Sequence, residues 1–387
     1  MDVTAAKTVH AAIPRGAMTP SPHFLGQARA GLDLHHFRFD RTGRAPGTCI
    51  GDRAFAVREP AAALARSYAG VHGAAVRTAF PGIAEAACGT LFLVEGRHGI
   101  LDLFTGARTV SDPSVAHFHD NARSRKAFCA GRGIAFTTWI FPDKLYALRD
   151  RLPAGPAIRS VYLSRYRDAG PPDPSAHYPV DAVAAEGSYY RTDTHYAPEG
   201  VASLACAVFA ATLGESAAES CRAAIARDMT RDHVYAGDMG RKFMPPRTER
   251  VRLLDPAIPV VKAENGFANG NDGILVLIES QAALSSQTLL IFGDSFFRQM
   301  LPCLAYGFRR IVFCRTRYLH REMVAAIRPD QVFAGLAEKY LSDVAPDSEA
   351  PPFLAYPLIF GKPARPEAGF ADLWNAFADM KAMNGAF

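Results

Sequence analysis

Apolar runs of strand length recur through this chain, and amphipathic segments separate them. IAFTTWIFPDK (134–144), GILVLIES (273–280), TLLIFGDS (288–295) and RRIVFCR (309–315) are rich in the β-branched and aromatic residues that suit a pleated, buried surface. HDNARSRKAFCAGRG (119–133) reads as a helix closed by Gly131 and Gly133, and EGVASLACAVFAATLGESAAESCRAAIA (199–226) as another, with Pro198 suited to its first turn. FFRQMLPCLAYGF (296–308) predicts a helix interrupted or begun afresh near Pro302, and REMVAAIRPDQVFAG (321–335) a helix, a turn and a strand. Helix, glycine and strand in alternation specify an α/β fold around a parallel sheet.

The flanks read differently. Residues 1–85 carry turns such as PRGAMTPSPH and RTGRAPGTC, which predict an irregular N-terminal arm or lobe. Residues 86–345 hold the α/β pattern, opening with GTLFLVEGRHGILDLF (89–104), where two apolar runs about a glycine turn suggest a hairpin or paired strands. Residues 346–387, rich in proline and aromatics, predict a packed C-terminal tail of loops and a short helix.

Composition narrows the function. Of 387 residues, 49% are apolar and 21% charged, which places the chain among globular proteins rather than disordered ones. The net charge of +5 is scattered, not massed in a stripe, which argues against nucleic-acid binding. Seven cysteines without CxxC spacing (Cys49, Cys88, Cys129, Cys206, Cys221, Cys303, Cys314) read as reduced core residues and give no support for a metal site. The sequence as written shows no signal-peptide apolar core of about 7–15 residues and no run of about 18 apolar residues, so the expectation is a cytoplasmic protein, or a periplasmic one if the chain is trimmed.

Two stretches carry chemistry. In TLLIFGDSFF the apolar run stops at Gly293, Asp294 and Ser295; ligands of a parallel sheet bind beyond its carboxyl edge, where a hydroxyl also meets the free N–H groups of a helix start. Ser295 there is a candidate nucleophile, and a simple N-cap at Ser295 or Asp294 is the structural alternative. In YYRTDTHYAPEG (189–200), Asp193 and His195 stand two apart, so on an extended segment a carboxylate and an imidazole share a face. They form the orienter and base that a serine requires, or else an ordinary polar loop.

TDTHYAPEG and FGDSF together resemble the SGNH-hydrolase-like domain of the AlgX/AlgJ type, a family of bacterial polysaccharide O-acetyltransferases. GRHGILDLF (96–104), GIAFTTWIFPDKLY (133–146), YAGDMG (235–240) and RPDQVFAGLAEKYL (328–341) extend the resemblance over residues 89–345. It implies a flavodoxin-like three-layer domain in which Ser295 is the nucleophile, His195 the base and Asp193 its orienter, in the order Asp, His, Ser that marks this family. It implies transfer of an acetyl group to a polysaccharide or glycan hydroxyl, with an acetyl donor reached through a membrane acyltransferase, and neither a cofactor nor a metal. Candidates for substrate contact or the oxyanion hole are Gly237, Tyr196 (where the family carries tryptophan), Arg315, Arg317 and Lys144. Asn271 in NGNDG reads as a turn residue and not as an oxyanion asparagine. A carbohydrate esterase with the same triad, or a glycan-binding protein without chemistry, are the competing readings; separation of His195 from Ser295 would favour the last.

Overall fold

The computed structural model describes residues 82–384, apart from Ala87 and residues 95–97, 150–156, 170–172 and 269–270. The N-terminal arm expected over residues 1–85 lies outside the described residues as far as Pro81, as does Cys49. Everything described belongs to one unit, Ala56–Phe387.

The first secondary structure is a small antiparallel pair, β1 (Ile83–Glu85) with β2 (Leu91–Leu93). This corrects the hairpin expected over 89–104: β2 pairs backwards with β1, and the second apolar run forms helix α1 (Ile100–Thr105) between left-handed Gly99 and Gly106. Glu85 ends a paired strand, so a domain boundary after it would cut the pair. Helix α2 (Asp112–Ala130) starts earlier than its polar run suggests, because Ser111 caps the amide of Ser114 and a proline sits in the first turn.

The central sheet holds seven strands in the order β4 (Ala176–His177), β3 (Ala135–Phe141), β11 (Gln331–Ala337), β9 (Ser285–Gly293), β10 (Phe308–Arg315), β8 (Leu275–Ser280), β7 (Val260–Glu264). The five from β4 to β10 are parallel. The sheet is mostly parallel, as expected, and at its other edge β8 runs antiparallel to both β10 and β7. A short connection reverses the chain between β7 and β8, and such links join antiparallel strands. Asn265 closes it, donating to the Gly273 carbonyl at 2.9 Å and accepting from the Leu275 amide at 3.1 Å.

Alternation along β9 explains why its sequence is apolar throughout. Leu289 and Ile291 enter the core on one face, and Leu290 and Phe292 the core on the other. Helices α3 (Pro198–Leu213), α4 (Glu215–Asp228) and α5 (Ser295–Leu304) cover the first face, and α6 (Arg321–Ile327) the second, which gives the three layers. The long helix expected over 199–226 is two, broken at Gly214, whose φ of 93° only glycine adopts easily. Pro302 leaves α5 uninterrupted, with Leu301, Cys303 and Leu304 buried around it. The C-terminal segment packs onto the second face through Phe353, Tyr356, Leu373 and Phe377. Among the described residues no helix is long and apolar enough to cross a membrane.

From β9 the chain passes through α5 to β10 on one side and then through α6 to β11 on the other. The carboxyl end of β9 is therefore the point where the winding reverses, where α/β sheets open a crevice. Gly293 and Gly335 are paired across β9 and β11 at that edge. A Cβ on either would lie 2.5 or 2.6 Å from the Phe297 ring, so their bareness lets α5 settle onto the sheet. An antiparallel ribbon of β5 (Met229–Tyr235) and β6 (Glu249–Leu254) completes the unit.

Candidate active site

Ser295 opens α5 directly beyond β9. Asp294 is the N-cap: one carboxylate oxygen accepts from the Phe296 amide at 2.9 Å and the other from the Ala337 amide at 2.7 Å. The same side chain thus starts the helix and ties it to the end of β11. As the first residue of the helix, Ser295 has an N–H with no partner one turn earlier.

His195 reaches Ser295 from a loop 100 residues upstream, with Nε2 at 3.0 Å from Oγ. Nδ1 of the same ring is 2.7 Å from Asp193 Oδ1. The pair does not lie on an extended segment as its spacing suggests. The chain bends back on itself between Tyr189 and Tyr196, which form an isolated bridge, and Asp193 Oδ1 also takes the His195 amide at 3.0 Å. One carboxylate thereby fixes both the turn and the imidazole.

The other oxygen of Asp193 is held from the ribbon, by the Tyr235 hydroxyl at 2.6 Å and the Asp238 amide at 2.9 Å. Burial would push this carboxyl upward, but the His195, Tyr235 and Asp238 bonds outweigh it and hold the group well below the ordinary carboxylate range. Asp238, although exposed to solvent along its outer side, is pushed up by desolvation at the site and then by the negative charge of Asp193. Two neighbouring carboxyls are thus driven in opposite directions.

Beneath the loop, the buried Lys144 Nζ donates to the carbonyls of Leu91, Tyr190 and Asp193 at 2.7, 2.6 and 3.1 Å. Burial lowers this ammonium to about 8. The Glu249 carboxylate takes the amides of Arg191 and Thr192 at 2.9 and 2.7 Å. A cation gripping carbonyls and an anion gripping amides hold one short loop between them.

The serine opens on a cleft of about 390 Å³ whose walls include His195, Tyr235, Asp238, Arg241 and Arg315. Asp193, His195 and Asp238 also bring ligand atoms within 4.8 Å of one another, and two of these residues are already bonded to each other through Oδ1 and Nδ1.

No protein-family model and no curated protein matches the sequence. Solved structures to which the chain is similar include a DHHW family protein from Eubacterium siraeum, with a TM-score of 0.45 and 14% identity over 66% of this chain and 91% of that one. PatB1 of Bacillus cereus gives a TM-score of 0.44 and 13% identity over 60% and 92% of the two chains. The O-acetyltransferase domain of Pseudomonas putida AlgJ gives 0.43 and 14% over 73% and 100%.

The structure brings Asp193, His195 and Ser295 together and places Arg315 on their cleft. The other candidates sit elsewhere. Lys144 is closed off from the cleft by the carbonyls it holds. Tyr196 is fully buried, its hydroxyl on the Pro142 carbonyl at 2.8 Å and its ring edge-on to Phe296, so it backs the site without facing it. The Gly237 amide is taken by Thr192 Oγ1 at 3.0 Å, and a Cβ there would lie 2.3 Å from the Thr192 carbonyl, so this glycine serves close packing. Arg317 is exposed and faces a neighbouring cavity. Asn271 meets Arg315 at 3.4 Å in its turn.

Tyr235 and Glu249 are the residues that sequence reasoning missed. YAGDMG was visible as a motif, and a phenol two residues ahead of Gly237 was the available signal; nothing near Glu249 marks it.

Proposed function

We propose that the protein is a serine O-acetyltransferase that passes an acetyl group through Ser295 to a hydroxyl of a polysaccharide or glycan. The continuous hydrogen-bond chain from Asp193 through His195 to Ser295, 2.7 Å and 3.0 Å, carries this reading. His195 Nε2 takes the Ser295 proton as Oγ attacks the acetyl carbonyl, and the imidazolium is supported by Asp193. The Ser295 N–H and the Arg315 guanidinium are the donors for the oxyanion. His195 returns the proton to the departing alcohol, leaving acetyl-Ser295. The acceptor hydroxyl then gives its proton to His195, attacks the acyl carbon and leaves as the acetyl ester, and Oγ recovers its proton. Acetyl and glycan specificity come from the motif resemblance; by the same resemblance a membrane acyltransferase supplies the acetyl group.

The test is fluorophosphonate labelling together with acetate release from p-nitrophenyl acetate, for wild type and Ser295→Ala. Labelling and release in wild type alone support the nucleophile, and acetyl transfer to an added oligosaccharide separates a transferase from an esterase. Folded wild type with neither labelling nor release would sink the proposal and favour a glycan-binding protein.

A further inference from the structure

Beside the serine cleft lies a second space, a cavity of about 250 Å³ at the carboxyl ends of β9, β10 and β11. Its walls include Asp294, Arg317, Leu336 and Tyr340, one contribution from the end of each of these three strands and a second from beyond β11. Only a thin partition separates it from the chemistry. Asp294 faces the cavity and the next residue, Ser295, faces the cleft; Asn271 faces the cavity and its partner Arg315 the cleft.

The lining selects a ligand class. Arg108 and Arg317 offer donors, while Asp272 and Asp343 offer acceptors. Tyr340 adds an aromatic wall, braced edge-on by His98 with ring centroids 5.0 Å apart. An acyl chain would displace water from these charged groups and offer them no hydrogen bond in return. A phosphate would meet the carboxylates as well as the guanidinium groups. A polyol both donates and accepts, and its C–H face packs on a ring. The volume is below the ~300–1,000 Å³ of pockets for drug-sized ligands, which fits a single sugar ring.

We propose that this cavity is an acceptor subsite, holding one sugar ring of the glycan while a hydroxyl of an adjoining unit crosses the rim of Arg315 and Asn271 to acetyl-Ser295. The assignment rests on the acetyl-transfer reading for its purpose, though not for its binding chemistry. Both oxygens of Asp294 are already engaged by amides, so this residue partitions the two spaces and leaves recognition to the arginines, the other acids and Tyr340.

The test uses the full chain carrying Ser295→Ala, titrated by calorimetry and saturation-transfer NMR with three probes: cellotetraose, chitotetraose and a β-linked glucuronate tetramer. At least one should bind, and adding Leu336→Trp, which fills the cavity, should weaken it at least tenfold. Because that substitution crowds β11, Arg317→Ala at the exposed rim is the second measurement, with a weakening of about threefold to tenfold. Binding by none of the probes, or equal affinity with and without both substitutions, overturns the subsite. Fluorophosphonate labelling of wild type is read separately: sugar binding without labelling keeps the subsite and removes the acetyl-transfer reading, and labelling without sugar binding does the reverse.

Discussion

Replacing Asp193 with asparagine tests the site at the atom where most of it converges. The carboxylate accepts from four donors, the His195 amide and Nδ1 on one oxygen and the Tyr235 hydroxyl and Asp238 amide on the other. A carboxamide has one oxygen to offer. If its nitrogen faces the ribbon, it opposes the Asp238 amide; if it faces the histidine, it opposes the His195 amide and donates to Nδ1. Either orientation leaves a partly buried N–H unpaired, at about 1 kcal/mol of stability. The second orientation also moves the imidazole proton to Nε2, where it blocks acceptance from Ser295. Loss of the correct tautomer and of the counter-charge should lower acetate release from p-nitrophenyl acetate by about 10³–10⁴, or roughly 4–5.5 kcal/mol in barrier. Thermal melting of the same sample checks that the fold survives. Retention of more than a tenth of wild-type turnover would refute the argument, because His195 would then need no orienting carboxylate. The pH dependence has a fixed sign. Asp193 sits below its unfolded value, so its contribution to stability is present above about pH 4 and is lost as acid passes through the lower folded value.

Tyr235→Phe removes one of the four donors and leaves three, so kcat should fall about tenfold with KM unchanged; a fall beyond a thousandfold would mean the phenol takes part in the chemistry. Asp238 is raised by desolvation at the site and by Asp193, so its ionisation costs stability as pH rises through its folded value, a cost that solvent screens because the side chain is exposed. Asp238→Asn should therefore raise the melting temperature only slightly at pH 7, with the gain gone by about pH 3, and a gain independent of pH would contradict the charge argument. Lys144→Met strips the donor from three buried carbonyls and should destabilise by about 3 kcal/mol or more in denaturant titration. An unshifted midpoint would show that the loop needs no such anchor.

The central strands and the two polar stretches around Asp193 and Ser295 were legible because each is a local signal, whereas their meeting across 100 residues was implied only by the motif resemblance. Continuous apolar runs mark strands buried on two faces, and Asp193 with His195, or Gly293 with Ser295, are neighbours in sequence. Strand direction was not legible: the run at 275–280 has the same composition whether it lies parallel or antiparallel, and only the turn held by Asn265 decides it. Nor were the supports of the triad loop. Lys144 is 49 residues from Asp193 and Glu249 is 57 from Thr192, and their side chains bind mostly main-chain atoms, which carry no sequence signal. Arg315 and Arg317 show how fine the limit is. They are two apart at the same strand end, yet one faces the serine cleft and the other the cavity beyond Asp294.

The bare edge formed by Gly293 and Gly335 means that residues 42 positions apart share one small volume with a third, the Phe297 ring. Nothing in that volume touches a substrate, yet Phe297 rides on the helix that Ser295 begins. An added methyl at either glycine would have to be accommodated by lifting that helix off the sheet or by trimming the ring. At Gly335 the methyl would also meet the Trp139 carbonyl at 2.5 Å, and main chain does not step aside as a side chain can. The position of Ser295 is therefore written partly in the absence of two side chains, and these three sites are free to vary only as a set.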